Sequence, residues 1–142
     1  MNSTACVDAS IVIKLVVEEP GSDLADALWA QWIQQDVQIV APALLRYEIT
    51  AVLRKKVYRG QLSKEIANMA LTAALDLKGI EYIDSPVLHL RALELASQFG
   101  LPTAYDAHYL ALAEQQNCEF WTADVRLTQR ISQALPYLRQ LE

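Results

Sequence analysis

Little in this sequence offers sulfur or imidazole chemistry. There are two cysteines, Cys6 and Cys118, and two histidines, His89 and His108, in 142 residues. No CxxC and no paired Cys/His spacing occurs, which argues against a zinc site or a disulfide framework. Both cysteines fall in segments expected to be strands and are expected as buried thiols. The histidines are expected in structural or solvent-facing roles. His108 lies two residues past Asp106, which turns it to the other side of its helix. Glycine (four) and proline (five) are sparse, and all nine fall between periodic segments. No apolar run approaches the roughly 18 residues of a membrane span. The N-terminus, MNSTACVD, lacks the basic region and apolar run of a signal peptide, so a cytoplasmic location is expected. Repeats, low-complexity tracts and long linkers are missing as well, and a single domain over 1–142 is expected. So is excess positive charge: the net charge is −5, unlike a generic nucleic-acid binder.

What is present is core material. Hydrophobic residues make up 53% and charged residues 20%, the balance of a globular chain long enough to bury a sizeable core. The basic residues are uneven. Arg46, Arg54, Lys55, Lys56, Arg59 and Lys64 are half of the twelve, and Glu48 is the only acid between Arg46 and Lys64. A local basic face can therefore coexist with an acidic total.

Taken in order, Thr4–Val7 reads as a short buried strand ending at Asp8, and Ser10–Glu18 as an apolar helix, with a longer strand as the competitor. Pro20-Gly21 breaks the chain. Ser22 can cap a helix over Asp23–Gln34, with Leu24, Ala27, Leu28 and Trp32 inward. Val37–Ala41 is a second strand, and Pro42 suits the first position of the next helix. That helix spans Ala43 to Tyr58, with Leu44, Leu45, Ile49 and Val52 as its apolar stripe. Ser63–Leu77 is a further helix, Ile80–Ile83 a third strand, and Asp84-Ser85-Pro86 a turn opening a helix to Phe99. Thr103 can cap a helix to Gln116. Cys118–Trp121 is a fourth strand, Val125–Ala134 the last helix, and YLRQL a candidate edge strand. Short strands alternating with helices indicate an α/β domain with a central, mostly parallel sheet of four or five strands. Ligands of such sheets bind beyond the carboxyl ends of the strands. Trp29 and Trp32 are expected in packing or, with Leu28, in an apolar groove for a partner helix.

Four acids stand out. Asp8 ends the first strand and Asp124 follows the fourth. Asp106 opens the helix that leads into the fourth strand, in the turn where the helix dipole favours negative charge. Glu48 lies on the apolar stripe of its helix, four residues after Leu44 and four before Val52. Each has an ordinary reading alone: Asp8 and Asp124 as N-caps, Asp106 in a capping box with Thr103, Glu48 paired with Arg46 or Lys55. If the sheet is parallel, Asp8 and Asp124 emerge at the same edge, and four carboxylates converging there would repel unless a cation sits among them. Oxygen-only ligands suit Mg²⁺ or Mn²⁺. Lys55 and Arg59 come round to nearly the face of Glu48 and are candidate phosphate guides, or a solvated or partner-binding face.

The ordered set VDAS at 7–10, LLRYEI at 44–49, YDAHYLALAE at 105–114 and TADVRL at 122–127 resembles PIN-domain nucleases, particularly VapC-type toxins of toxin–antitoxin pairs. The resemblance spans nearly the whole chain. It implies a PIN-like α/β/α sandwich and a metal-dependent endoribonuclease acting on single-stranded or structured RNA. The family's acids carry over onto Asp8, Glu48, Asp106 and Asp124, and its supporting hydroxyls onto Ser10 and Thr122. It also implies a cognate antitoxin and a homodimer. A catalytically silent PIN scaffold is the alternative. A response-regulator receiver would need an acid pair before the first strand's Asp. A haloacid-dehalogenase-like phosphatase would need an acid at Ser10. Neither is present.

Overall fold

A computed structural model describes residues 3–131 and 135–142. Five strands form one sheet: β1 (Thr4–Val7), β2 (Gln38–Pro42), β3 (Ile80–Ile83), β4 (Glu119–Thr122) and β5 (Leu138–Gln140). Their spatial order is β3-β2-β1-β4-β5, and every pairing is parallel. Seven helices among the described residues flank the sheet: α1 (Ala9–Val16), α2 (Ser22–Gln34), α3 (Leu44–Tyr58), α4 (Lys64–Leu75), α5 (Pro86–Gln98), α6 (Tyr105–Gln116) and α7 (Val125–Ile131). α1 packs with α2, α3 and α4, while α5 packs with α6, and α6 lies against β1, β2 and β4. The result is an α/β/α sandwich.

The chain leaves β1 toward β2 and β3 on one side, then crosses to β4 and β5 on the other. The strand order therefore reverses between β1 and β4, and a crevice opens beyond their carboxyl ends. Register sharpens this. Val7 pairs with Trp121, so the next residues, Asp8 and Thr122, stand side by side.

α6 is buried along its middle. Ala107, Tyr109, Leu110, Ala111, Leu112 and Ala113 are all buried, because the alanines let it lie close to the sheet. Tyr109 stacks on Phe120 of β4, with ring centroids 5.5 Å apart.

Several local expectations are corrected. Pro42 ends β2, opposite Ile83, and does not open α3. The β1–β2 ladder stops at Val40, so its missing N–H faces no partner on that side. Ser22 is the first residue of α2 and does not cap it: its hydroxyl accepts from Glu19 N–H and donates to the Val17 carbonyl. The N-cap is Gly21, at φ 92°. The inward face of α2 is Ala25, Trp29 and Trp32, with Leu24 and Ala27 exposed. Both tryptophans are buried, and Trp32 packs edge-on to Trp121 at 6.0 Å. They form core, not a partner groove. Cys118 is half-buried just before β4, while Cys6 is buried, and both are free. The expected end of the last helix, residues 132–134, lies outside the described residues. Among the described residues no helix is long and apolar enough to cross a membrane.

Candidate active site

The crevice at the strand reversal is built first by β1 running into α1. Asp8 is the N-cap of α1, with extended backbone, and its Oδ1 accepts the Ser10 N–H at 3.0 Å. The Ser10 hydroxyl also donates to Oδ1. The Thr122 hydroxyl donates to Oδ2 at 2.6 Å. Ser10 and Thr122 in turn accept from the turn after β4: Ala123 N–H to Ser10 Oγ at 2.8 Å, Asp124 N–H to Thr122 Oγ1 at 3.0 Å. One hydrogen-bonded knot thus ties Asp8 to the segment carrying Asp124. Asp124 caps α7, its Oδ1 accepting from Arg126 and Leu127 N–H. The capping readings of Asp8 and Asp124 hold, and capping leaves both acids facing the crevice.

Glu48 comes from α3 and is half-buried. Neither Arg46 nor Lys55 pairs with it among the described residues. Arg46 lies 3.9 Å from the centre of the Tyr82 ring instead. The partner of Glu48 is the buried Tyr109, whose hydroxyl donates to Oε1. Asp106 is the second residue of α6. The capping box with Thr103 does not form: the N-cap is Ala104, with no side-chain bond.

A cleft of about 330 Å³ brings these acids together. Asp8, Glu48, Asp106 and Asp124 line it, with Ser10 among its walls. Glu19, Lys14 and Lys56 line it too. Both lysines are spent on Glu19, at 3.9 and 3.4 Å. The other four carboxylates have no lysine of their own there.

Their ionisation reports the crowding. Burial pushes the Asp8 carboxyl up to about 7, against the pull of the Ser10 and Thr122 hydroxyls, and Asp106 and Glu48 add repulsion. Glu48 is raised, first by burial and also by Asp106, with the Tyr109 hydroxyl opposing. Asp106 is raised by burial and then by Asp124, with Arg130 opposing.

As placed, no three His, Cys, Asp or Glu side chains among the described residues form a closed metal cage. The donor set nonetheless fits a hard divalent ion. Mg²⁺ and Mn²⁺ favour carboxylate oxygen, and Mg²⁺ keeps several waters, binding through one or two carboxylates.

Lys55 lines a second groove beside Glu48, while Arg59 is the exposed C-cap of α3 and is not among the residues of either hollow. Sequence reasoning missed Tyr109, Lys14, Glu19 and Lys56. Helical spacing held the signal for two of them: Tyr109 is three residues after Asp106, and Lys14 four after Ser10. His89 and His108 are not among the residues lining the cleft. His89 bridges Asp84 at 2.6 Å and His108 at 2.9 Å, and the His108 Nδ1–H donates to the Ala104 carbonyl at 2.7 Å.

Structures of the same shape include one of PAE2754 from Pyrobaculum aerophilum, with 24% identity and TM-score 0.68, covering 99% of this chain and 92% of that one. A toxin–antitoxin complex from Klebsiella pneumoniae aligns with 20% identity and TM-score 0.66, covering 97% and 98%. Mycobacterium tuberculosis VapC20, a sarcin–ricin loop cleaving toxin, aligns with 15% identity and TM-score 0.65, covering 92% and 95%. A comparison with curated proteins gives no significant match. At these identities the likeness establishes the fold alone. The sequence goes further, since residues 5–131 match the PIN domain family. With that match reaching from β1 through α7, the chain belongs to the PIN-domain family.

Proposed function

We propose that this chain, as one domain over 1–142, is a metal-dependent endoribonuclease and the toxin of a toxin–antitoxin pair. The observation that carries the reading is charge: five carboxylates meet two lysines in one cleft at the strand reversal. Such a cleft rejects phosphate unless a cation is bound. Two of the structural relatives are a toxin–antitoxin complex and a sarcin–ricin loop cleaving toxin, which supports the same reading.

Asp8, Glu48, Asp106 and Asp124 would hold Mg²⁺ or Mn²⁺. Bound there, the ion would supply positive charge for the phosphate oxygens and make water easier to deprotonate. The chain's own groups do the rest. Ser10 and Thr122 fix the Asp8 carboxylate. Tyr109 occupies Glu48 Oε1, which leaves Oε2 to take a proton from the attacking water. Burial raises the basicity of that carboxylate, which suits it to the task. As that proton passes to Glu48, the water oxygen would bond to phosphorus, the P–O bond to the departing nucleotide would break, and the departing oxygen would take a proton from solvent, Glu48 returning its own to solvent afterwards. Lys55 guides the incoming strand by its phosphates, with Arg59 farther along.

Partners follow from exposed surface. Val87, Leu90 and Leu93 form an apolar face on α5, each 64–66% exposed. Such a face fits a homodimer contact, and a cognate antitoxin would bind the dimer and block the cleft.

The test is cleavage of single-stranded and structured RNA by purified protein with Mg²⁺, Mn²⁺ or EDTA. Internal cuts that need the metal and disappear in Asp8→Ala support the reading. Cleavage indifferent to EDTA or to Asp8→Ala overturns it. RNA bound but never cut, with either metal, favours a silent scaffold.

A further inference from the structure

Beside the acid cleft runs a second groove, of about 460 Å³, that the chemistry above uses only through Glu48, at the junction with the cleft, and Lys55. Its floor and one wall come from α3. Leu44, Tyr47, Glu48, Ala51, Val52 and Lys55 recur at the three- and four-residue spacing of a single helix face. Tyr105, at the start of α6, supplies another part of the lining. Glu48 and Val52 line both hollows, so groove and cleft are continuous.

Tyr47 and Tyr105 are 75% and 58% exposed, and each directly precedes an acid of the cleft. A ring kept in water at such a position adds nothing to the core. Ala51, one turn after Tyr47, puts only a methyl group on the floor. The lining is mainly apolar, with one ammonium group, from Lys55, and one carboxylate, Glu48, at the junction with the cleft.

We propose that this groove is a nucleobase subsite. Resting on the nuclease reading, it would hold an unpaired base of the RNA next to the scissile phosphate, stacked on Tyr47 and Tyr105, with Lys55 on the neighbouring phosphate. Aromatic faces with a nearby cation are how single strands are held without edge reading, since every base has a π-face. The walls offer few hydrogen-bonding groups, so the subsite distinguishes a base from no base, and a flipped-out nucleotide from a paired one. It does not choose among the four bases.

The experiment compares steady-state cleavage of one RNA with its counterpart carrying an abasic residue beside the cut. Wild type is run against Tyr47→Ala, Tyr105→Ala and the phenylalanine variants at both sites. Loss of stacking is expected to raise KM by roughly 5- to 100-fold with kcat little changed. Phenylalanine keeps the wild-type KM, because the hydroxyl takes no part. The abasic RNA shows the same penalty with wild type and little further penalty with the alanine variants. Equal KM for all variants, or an abasic penalty that persists undiminished in both alanine variants, overturns the subsite. So does an alanine variant whose loss traces to dissociation of a dimer by sedimentation, which would make a second copy the occupant. The abasic arm uses wild-type protein and stands even where a variant misfolds. Wild type that cuts no RNA at all overturns the nuclease reading. Wild type that cuts while the tyrosine variants are unaffected overturns only the subsite.

Discussion

Asp8 carries a conflict that its neighbours only partly relieve. Three hydrogen bonds favour its ionised form, yet burial and two nearby acids hold it up to about 7. The folded chain therefore binds this proton more tightly than the unfolded chain does. Stability from that proton is fully present below about pH 4 and is lost as pH rises through about 7. Glu48 and Asp106 are raised too and push the same way. In EDTA, the melting temperature should fall between pH 5 and pH 8. Asp8→Asn should flatten that slope, with an upper bound of about 4 kcal/mol for Asp8 alone. Thermal melts across pH check this. Tyr109 makes a second prediction. Tyr109→Phe removes the donor on Glu48 Oε1 and should cost about 1 kcal/mol. Without that donor the Glu48 carboxyl rises further, so the acid limb of the pH–rate profile should move to higher pH. At this scale Asp8, Glu48, Asp106 and Asp124 were readable because acids beside strand ends or on an apolar stripe need a reason. Tyr109 was not, because a tyrosine in an apolar helix reads as core, and its hydroxyl partner sits 61 residues away.

At the scale of elements, caps and cleft share residues. Asp124 holds the first turn of α7 through Oδ1 alone. Asparagine caps as well as aspartate does. Asp124→Asn should then keep its melting temperature within about 3 °C, while RNA cleavage falls roughly 100-fold or more. Stability and activity lost together would mean that Asp124 serves only the helix. The helix starts read near Ser63 and at the Asp84-Ser85-Pro86 turn are where the structure puts them, with Ser63 and Ser85 as the N-caps, since a short hydroxyl before a helical run can bond the free N–H groups. The caps expected for α2 and α6 do not form. Ser22 found partners in the preceding turn, at Val17 and Glu19, and the dispersed alanines of α2 let either of two faces turn inward. Thr103 lost its capping role because α6 begins later, with His108 bonded to the Ala104 carbonyl.

The whole molecule sets the remaining tests. If the four carboxylates share a cation, Mg²⁺ should raise the melting temperature at pH 7.5, above the point near 7 where Asp8 gives up its proton. It should do much less at pH 5, where Asp8 keeps that proton. Equal effects at both pH values would place the metal elsewhere. For the α5 face, sedimentation should give a dimer. Leu90→Glu should shift it toward monomer without changing the circular dichroism, since Leu90 contributes no buried core. The sequence by itself determined the kind of molecule: alternating strands and helices, punctuation by glycine and proline, and four acids at strand-end and helix-face positions. These are local signals, written in spacing and dihedral preference. Only the tertiary structure decided the strand order that opens the crevice between β1 and β4 and the register that sets Thr122 beside Asp8. It alone decided which lysines face the acids. The crevice and its register depend on contacts between residues more than a hundred positions apart, as between Asp8 and Thr122, and the Lys56–Glu19 contact spans 37; no local pattern encodes them.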